Sequence, residues 1–578
     1  MGESHRRFSQ YEAFRCLALA WWLSVAIAAP GPQAAAQQTA VAAPSRTVTV
    51  RFPGAVDGVA PSHEVMRQWL AWLGDQGFNI DRCGLDASAG TFILESAAPS
   101  DLERLTAAGF SVVDMLDREP LEGGQRTQSQ YFNPAEIQSM LIQIAADYPA
   151  ITHLFSIGTT TQGRTIWAIE ISDNPGVAED EPAIQFNGQH HAREVATSHV
   201  VMNVIDFLTQ GYGSDAEATD WVNRYKTVCV PMVNPDGVNH VFTSDSLWRK
   251  NRQSYPPSCL GVDLNRNYPY LWGPGCGSSG TCSSDVYRGP SSASELETQA
   301  MRGLADTYNF AMATSYHSYG RFIDYPYACS NGSPSQQMPE HAVIDEMMRG
   351  MAAGIRAVNG VIYSVYSPVP FGGVNGDDTS WYYAHKGTYP FIVEIGTSFE
   401  PPFSQVAGIV NENRGGWRYL YSRLGQARLD VHVTAGCEPV EAEVTLTNYA
   451  FDTGELPRET FLPFGRWTYV VKANGSYTVR ASKPGYITAE STVAVANVPV
   501  AVAIDLAPAT PPSFLLGDMD GNCLVDGADI DEFVAVSLGQ PSGLPQQVLR
   551  ADFAADCVID QADLSGFVAA LLAGDGCP

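Results

Sequence analysis

Strand-like and helix-like patterns alternate between Tyr131 and Gly425, and this alternation limits the chain's architecture more than any other feature. Asn133-Pro134 reads as an N-cap followed by proline at the first helical position, opening EIQSMLIQIAADYP. TIWAIEIS (165–172), PAIQFNGQ (182–189), TVCVPMVNP (227–235), FAMATSYHS (310–318) and TYPFIVEIG (388–396) read as short strands. Between them EVATSHVVMNVIDFLTQ (194–210) and stretches near 295–308 and 341–357 carry helical periodicity. This order predicts an α/β fold, with a mixed, mostly parallel central sheet and helices on both faces. Binding sites of such sheets lie outside the strand ends.

The flanks differ in pattern. Arg6, Arg7 and Arg15 precede LALAWWLSVAIAA (17–29) and a small-residue run, the order of a secretory signal, assigned to residues 1–36. Thirteen apolar residues are too few to span a bilayer. A small α+β propeptide-like unit is expected over 46–120, with strands at 46–52, 91–96 and 111–116 and helices at 63–78 and from a capping box at Ser100. EGGQRTQSQ (122–130) reads as an exposed linker. The α/β body is bounded at 128–428. Residues 429–509 show short alternating strands with Gly, Pro and Asn turns, which predicts a β-sandwich.

The remaining segment, 514–578, repeats itself. DMDGNCLVDGAD (518–529) and DFAADCVIDQAD (552–563) align at a period of 34 residues, each followed by an apolar helical pattern. Twelve-residue calcium loops place oxygen ligands at positions 1, 3, 5, 7, 9 and 12. Asp518, Asp520, Asn522, Asp526 and Asp529 fill the side-chain positions of the first loop, and Asp552, Asp556, Asp560 and Asp563 those of the second. Ala554 removes one ligand, so the second site is expected to be weaker. Position 6, where glycine is usual, holds Cys523 and Cys557, which are expected to pair, leaving Cys577 over. Cys276 with Cys282, or Cys259 with one of them, would close short loops in the body. The formal charge of −28 weighs against nucleic acid or an anionic membrane as partner.

Chemistry concentrates in the α/β body. NGQHHARE (187–194) and SYHSYG (315–320) supply His191, Glu194 and His317, two imidazoles and one carboxylate, the set used for catalytic zinc with a fourth position left open. His190 is read as a neighbour of the site and not a ligand. LWRKNR (247–252), GVDLNRNY (261–268) and PFIVEIG (390–396) accompany the ligand segments. A planar guanidinium grips a free carboxylate with paired hydrogen bonds, and a carboxylate ending an apolar strand is costly without a function.

Over 131–425 the chain resembles the zinc carboxypeptidases, the family of the pancreatic carboxypeptidases A and B and the bacterial carboxypeptidase T type, with five motifs in the family's order. The resemblance implies His191, Glu194 and His317 as zinc ligands and Glu394 as general base. It implies Arg249 as oxyanion stabiliser, Asn265 and Arg266 as the grip on the substrate's terminal carboxylate, and Arg193 as an auxiliary contact. The family's mobile Tyr would fall at Gly372, with Tyr366 or Phe371 as replacements. Thr379, flanked by Asp377 and Asp378, falls where side-chain preference is set, and an acid there would favour Lys or Arg. GSYTVRASKPGY (475–486) looks like the transthyretin-like domain that follows some carboxypeptidase domains, and the tail resembles the dockerin repeat. The expected protein is a secreted zinc metallocarboxypeptidase acting on peptide or protein C-termini, with one zinc ion, one or two calcium ions and a possible cohesin-like scaffold partner. The alternatives on the same fold are a cell-wall peptide hydrolase or deacylase, or a non-catalytic binding module held on a scaffold.

Overall fold

The computed structural model describes residues 46–574, apart from 56–59, 77, 79, 87–89, 98, 118–129, 258, 275–276, 325, 328–337, 358–359, 361, 367–373, 453, 510–513 and 541–546. The proposed signal segment, the linker around Arg126 and Cys577 lie outside the described residues.

An eight-stranded sheet organises the body. Its spatial order is Ser364–Tyr366, Phe322–Asp324, Tyr389–Ile395, Met312–Ser318, Ala183–Gly188, Lys226–Val230, Thr165–Ile171 and Thr152–Thr159. The central pairings are parallel: Met312–Ser318 with both Tyr389–Ile395 and Ala183–Gly188, and the latter with Lys226–Val230. Antiparallel pairs flank them on both sides. Every residue of Ala183–Gly188, Lys226–Val230 and Met312–Ser318 is buried. Side chains of a strand point alternately to the two faces, so both faces of the sheet are covered. Thr197–Gly211 packs on these central strands and Val406–Leu424 packs on Thr197–Gly211.

Element boundaries follow local chemistry. Pro134–Asp147 begins with the expected cap, where Asn133 Oδ1 accepts from the Ala135 and Glu136 amides. The helix expected from Glu194 starts at Thr197, because Glu194 and Ala196 belong to the turn that carries the site. Strands Thr152–Thr159, Phe322–Asp324 and Ser364–Tyr366 were not expected; the last two are three residues each, too short for a periodicity to register.

The N-terminal segment forms a four-stranded antiparallel sheet with helices His63–Asp75 and Pro99–Ala107. The second helix begins one residue before Ser100, with proline in its first position. Strand Ile80–Asp86 (IDRCGLD) is an addition to the sequence reading, since its aspartates and glycine argue against a strand.

Residues 428–505 fold into two four-stranded sheets sharing a core that includes Val431, Trp467, Tyr469 and Val479. TVAVANVPVAVAIDL divides into two strands, Ala489–Val495 and Pro499–Asp505. Tyr389 Oη donates to the Val470 carbonyl (2.9 Å) and Arg423 Nη2 to that of Val471 (2.7 Å), tying these sheets to the body.

In the tail, helices Ile530–Ser537 and Gln561–Ala573 follow the two loops. Phe533 and Phe567 stack with centroids 4.0 Å apart. They occupy equivalent positions of the repeat (567 − 533 = 34), so the duplicated halves pack on each other. The expected Cys523–Cys557 bridge is not formed. Cys557 pairs with Cys437, joining the tail to the strand-rich segment across 120 residues. Cys523 is itself disulfide-bonded. Both cysteines adopt left-handed backbone, φ 67° and 63°, the conformation for which glycine is usual at this loop position. Cys259 pairs with Cys282.

Candidate metal centre and active site

The chain leaves strand Ala183–Gly188 through Gln189, whose φ of 57° reverses it sharply. Thr197 then fastens the turn: its hydroxyl donates to the Glu194 carbonyl (2.7 Å) and accepts from the Gln189 amide (3.1 Å). The turn presents His191 and Glu194 on one side. His317 reaches the same point from the end of strand Met312–Ser318.

The three side chains meet in a buried cluster. His191 Nδ1 lies 2.7 Å from Glu194 Oε1, and His317 Nδ1 lies 3.0 Å from Glu194 Oε2 and 3.1 Å from His191 Nδ1. Zinc–nitrogen and zinc–oxygen bonds are about 2.0–2.2 Å long, so atoms at these separations can share one ion. The protein groups by themselves call for a positive charge. Two ring nitrogens of the same type face each other, and their lone pairs cannot satisfy one another. Burial opposes protonation of His317, yet the Glu194 and Glu394 carboxylates raise it to about 9. Burial and the Arg249 charge push His191 down. Burial works against an ionised Glu194, but the two imidazoles hold it below the usual carboxylate range. A single cation among the three atoms fits this donor set.

Asp263, which sequence reasoning did not single out, organises the other side. Its Oδ1 lies 3.1 Å from His191 Nε2, and its Oδ2 accepts from Arg249 Nε (2.9 Å). Burial opposes its charge, but Arg249, Arg266 and His191 keep it ionised well below the usual range. A carboxylate on the far nitrogen of a ligating imidazole sets the tautomer and raises ligand basicity. The available signal was an acid inside GVDLNRNY, two and three residues before the residues assigned to substrate.

The remaining assigned residues gather around this core. Arg249 Nη1 comes within 3.8 Å of Glu194 Oε1. The Ala192 amide donates to the Arg249 carbonyl (2.9 Å), binding the two motifs through the backbone. Asn265 Oδ1 accepts from the Asp378 amide (2.9 Å). Arg266 donates to the Gly277 and Asn265 carbonyls, each at 2.7 Å, and approaches Asp263 to 3.8 Å. Arg193 lies over the Phe399 ring at 4.1 Å and contacts Asp285 at 3.4 Å. Glu394 sits beside His317 across the sheet. His190 is fully buried, with Nε2 2.9 Å from Tyr268 Oη.

Asp377 caps the helix Asp378–Trp381, accepting from the Ser380 amide (2.8 Å) and the Thr379 hydroxyl (2.7 Å). Asp378 is fully buried, with Oδ2 3.8 Å from His190 Nε2. Asp377 is thus engaged by its own helix, and Asp378 faces the rear of the metal cluster. Phe371, Gly372 and the Tyr366 side chain lie outside the described residues.

Comparison with known proteins agrees with this geometry. The zinc carboxypeptidase family model matches residues 137–416. A metallocarboxypeptidase A of Arthroderma otae is 38% identical over 315 residues, covering 51% of this chain and 73% of that protein. The chain belongs to the zinc carboxypeptidase family. The metallocarboxypeptidase A of Trichophyton tonsurans is 40% identical over 212 residues, 36% of this chain and 49% of its own length. The chain therefore spans about half the length of that relative. The fold matches those of thrombin-activatable fibrinolysis inhibitor (TM-score 0.52, 21% identity, 65% of this chain and 98% of that one) and Helicoverpa armigera carboxypeptidase A (TM-score 0.53, 19% identity, 65% and 95%). The family match and the clustered motifs both lie within the 131–425 body.

Proposed function

We propose that this protein is a secreted zinc-dependent carboxypeptidase that hydrolyses the C-terminal peptide bond of peptides or proteins. The convergence of His191 Nδ1, His317 Nδ1 and the Glu194 carboxylate within 3.1 Å of their neighbours, with Arg249 against the same carboxylate, carries this reading. When bound, zinc would supply an acidified water and an electrophile for the scissile carbonyl.

The chain's own residues do the rest. Glu394 takes a proton from the attacking water and returns it to the leaving amine, a general-base contribution of about 10²–10⁴-fold. Arg249 stands where the tetrahedral intermediate becomes negative; one such donor accounts for roughly 10²–10³ in rate. Asp263 holds the Arg249 guanidinium in place while steadying His191. Asn265 and Arg266 receive the substrate's terminal carboxylate, with Arg193 as a further contact, and Arg266 would exchange its bonds to backbone carbonyls for the carboxylate.

The outlying segments complete the proposal. Residues 46–120 act as a propeptide, 429–509 as a transthyretin-like support, and 514–578 as a dockerin-like calcium-binding tail with a cohesin-like partner. Asp518, Asp520 and Asp529 lie within reach of one ion, which supports calcium in the first loop. In the second loop Asp552 lies beside the Cys437–Cys557 disulfide, which offers no thiolate to an ion. Among the described residues no helix is long and apolar enough to cross a membrane. The test is hydrolysis of a blocked dipeptide by the processed enzyme: chelation should abolish it and zinc restore it. Activity that survives metal removal overturns the reading.

A further inference from the structure

The far nitrogen of His191 faces a carboxylate, but that of His317 faces a hydroxyl. His317 Nε2 lies 3.1 Å from Ser315 Oγ, and both side chains project from the same face of their strand, two residues apart. Ser315 is buried, and its hydroxyl also lies 2.9 Å from Asn187 Oδ1 on the neighbouring strand, where the two residues are register partners. The His190 ring approaches the same hydroxyl more loosely, at 3.4 Å.

A hydroxyl has one proton to give. Asn187 Oδ1 and the Asp378 carboxylate, which Ser315 also reaches, can only accept, so that proton goes to one of them and not to His317. The contact with His317 is then a hydrogen bond only if His317 Nε2 carries the proton and Ser315 accepts it. That tautomer leaves the Nδ1 lone pair free, aimed at His191 Nδ1 and Glu194. The directional chain runs from His317 Nε2–H to Ser315 Oγ–H to one of these acceptors. His317, Ser315 and Asn187 are placed by strand register, so the chain exists before any ion arrives.

We propose that Ser315, held by Asn187, is a positioning residue that selects the metal-binding tautomer and ring orientation of His317. The proposal rests on the zinc reading of the site. It makes the two imidazole ligands unequal: His191 is backed directly by the Asp263 carboxylate, whereas His317 meets a hydroxyl first, with the Asp378 carboxylate behind it.

The experiment compares wild type, Ser315→Ala and Ser315→Thr by competition for zinc against a chromophoric chelator, by the rate of zinc release, and by the melting temperature of the metal-free proteins. Loss of a partner behind a ligating histidine costs about 10–100-fold in metal affinity. Ser315→Ala should lose affinity in that range and release zinc faster, while its metal-free form melts with wild type. Ser315→Thr, which keeps the hydroxyl on a strand-compatible side chain, should stay near wild-type affinity. Unchanged zinc affinity in Ser315→Ala overturns the proposal, as does an equal loss in Ser315→Thr. A wild-type protein that takes up no zinc overturns the underlying reading of the site instead, so the two failures are distinguishable.

Discussion

His317 and Glu394 are register partners on adjacent parallel strands, with their side chains on the same face at the strand ends. A metal ligand and the proposed proton acceptor, 77 residues apart (394 − 317), are thus set side by side by backbone pairing alone. The relationship separates two roles that chemistry can test independently.

Replacing Glu394 with Gln removes the proton acceptor but none of the three atoms that meet at the cluster. Turnover should fall by about 10²–10⁴-fold, while zinc content measured by atomic absorption stays at wild type. A variant that loses metal in step with activity would place Glu394 among the ligands instead.

Asp263→Asn should affect both metal and rate. The change weakens the support of His191 and strips the charge partner from Arg249. Zinc affinity should fall by about 10–100-fold, and kcat should remain depressed at saturating zinc because Arg249 is no longer fixed. Full recovery of kcat with added zinc would confine Asp263 to the metal.

Glu297 makes stability depend on pH. It is fully buried, its Oε2 accepts from Asn251 Nδ2 (3.0 Å), and burial raises its carboxyl from 4.5 to about 7. The folded state therefore binds more protons than the unfolded chain between those values, and stability declines as pH rises from 4.5 to 7. Glu297→Gln should flatten that decline and stabilise the protein above neutrality by on the order of 3 kcal/mol, read as the denaturation midpoint from pH 5 to 8. Parallel curves for the two proteins would remove the assignment.

Calcium should raise the melting temperature of the tail. Asp529 anchors the first loop, accepting from the Met519 (2.6 Å), Asp520 (3.0 Å) and Asp526 (2.9 Å) amides. Since those bonds hold the loop without an ion, Asp520→Asn, which alters a proposed ligand and not the anchor, is the cleaner probe. It should shrink the calcium-dependent shift while leaving the calcium-free melting temperature close to wild type. No shift in the wild type on adding calcium would end the calcium reading.

The Cys437–Cys557 bridge gives a connectivity test. With a protease site inserted within residues 510–513, cleaved protein should run as one band without reductant and as two with it. Separation without reductant, or persistence of one band after Cys437→Ser, would contradict the bridge.

Much of the body was legible from pattern. Strands 183–188, 312–318 and 389–395 were found from short strand-like runs between helical patterns, and the site motifs fall at their ends. Ser364–Tyr366 was not legible, because three residues carry no period. The Cys523–Cys557 pairing failed for a physical reason. Repeat symmetry makes two cysteines equivalent, but pairing needs them adjacent, and packing placed Cys437 beside Cys557.

Donor types, their order and their motif spacing were written in the chain, because metal chemistry restricts residue type and turns restrict short-range spacing. Which atoms meet was a matter of long-range register and burial. Asp263 behind His191, Ser315 behind His317 and Glu394 beside it depend on strands and loops brought together from distant parts of the chain. Local periodicity carries no record of such pairings, and only the folded sheet supplies them.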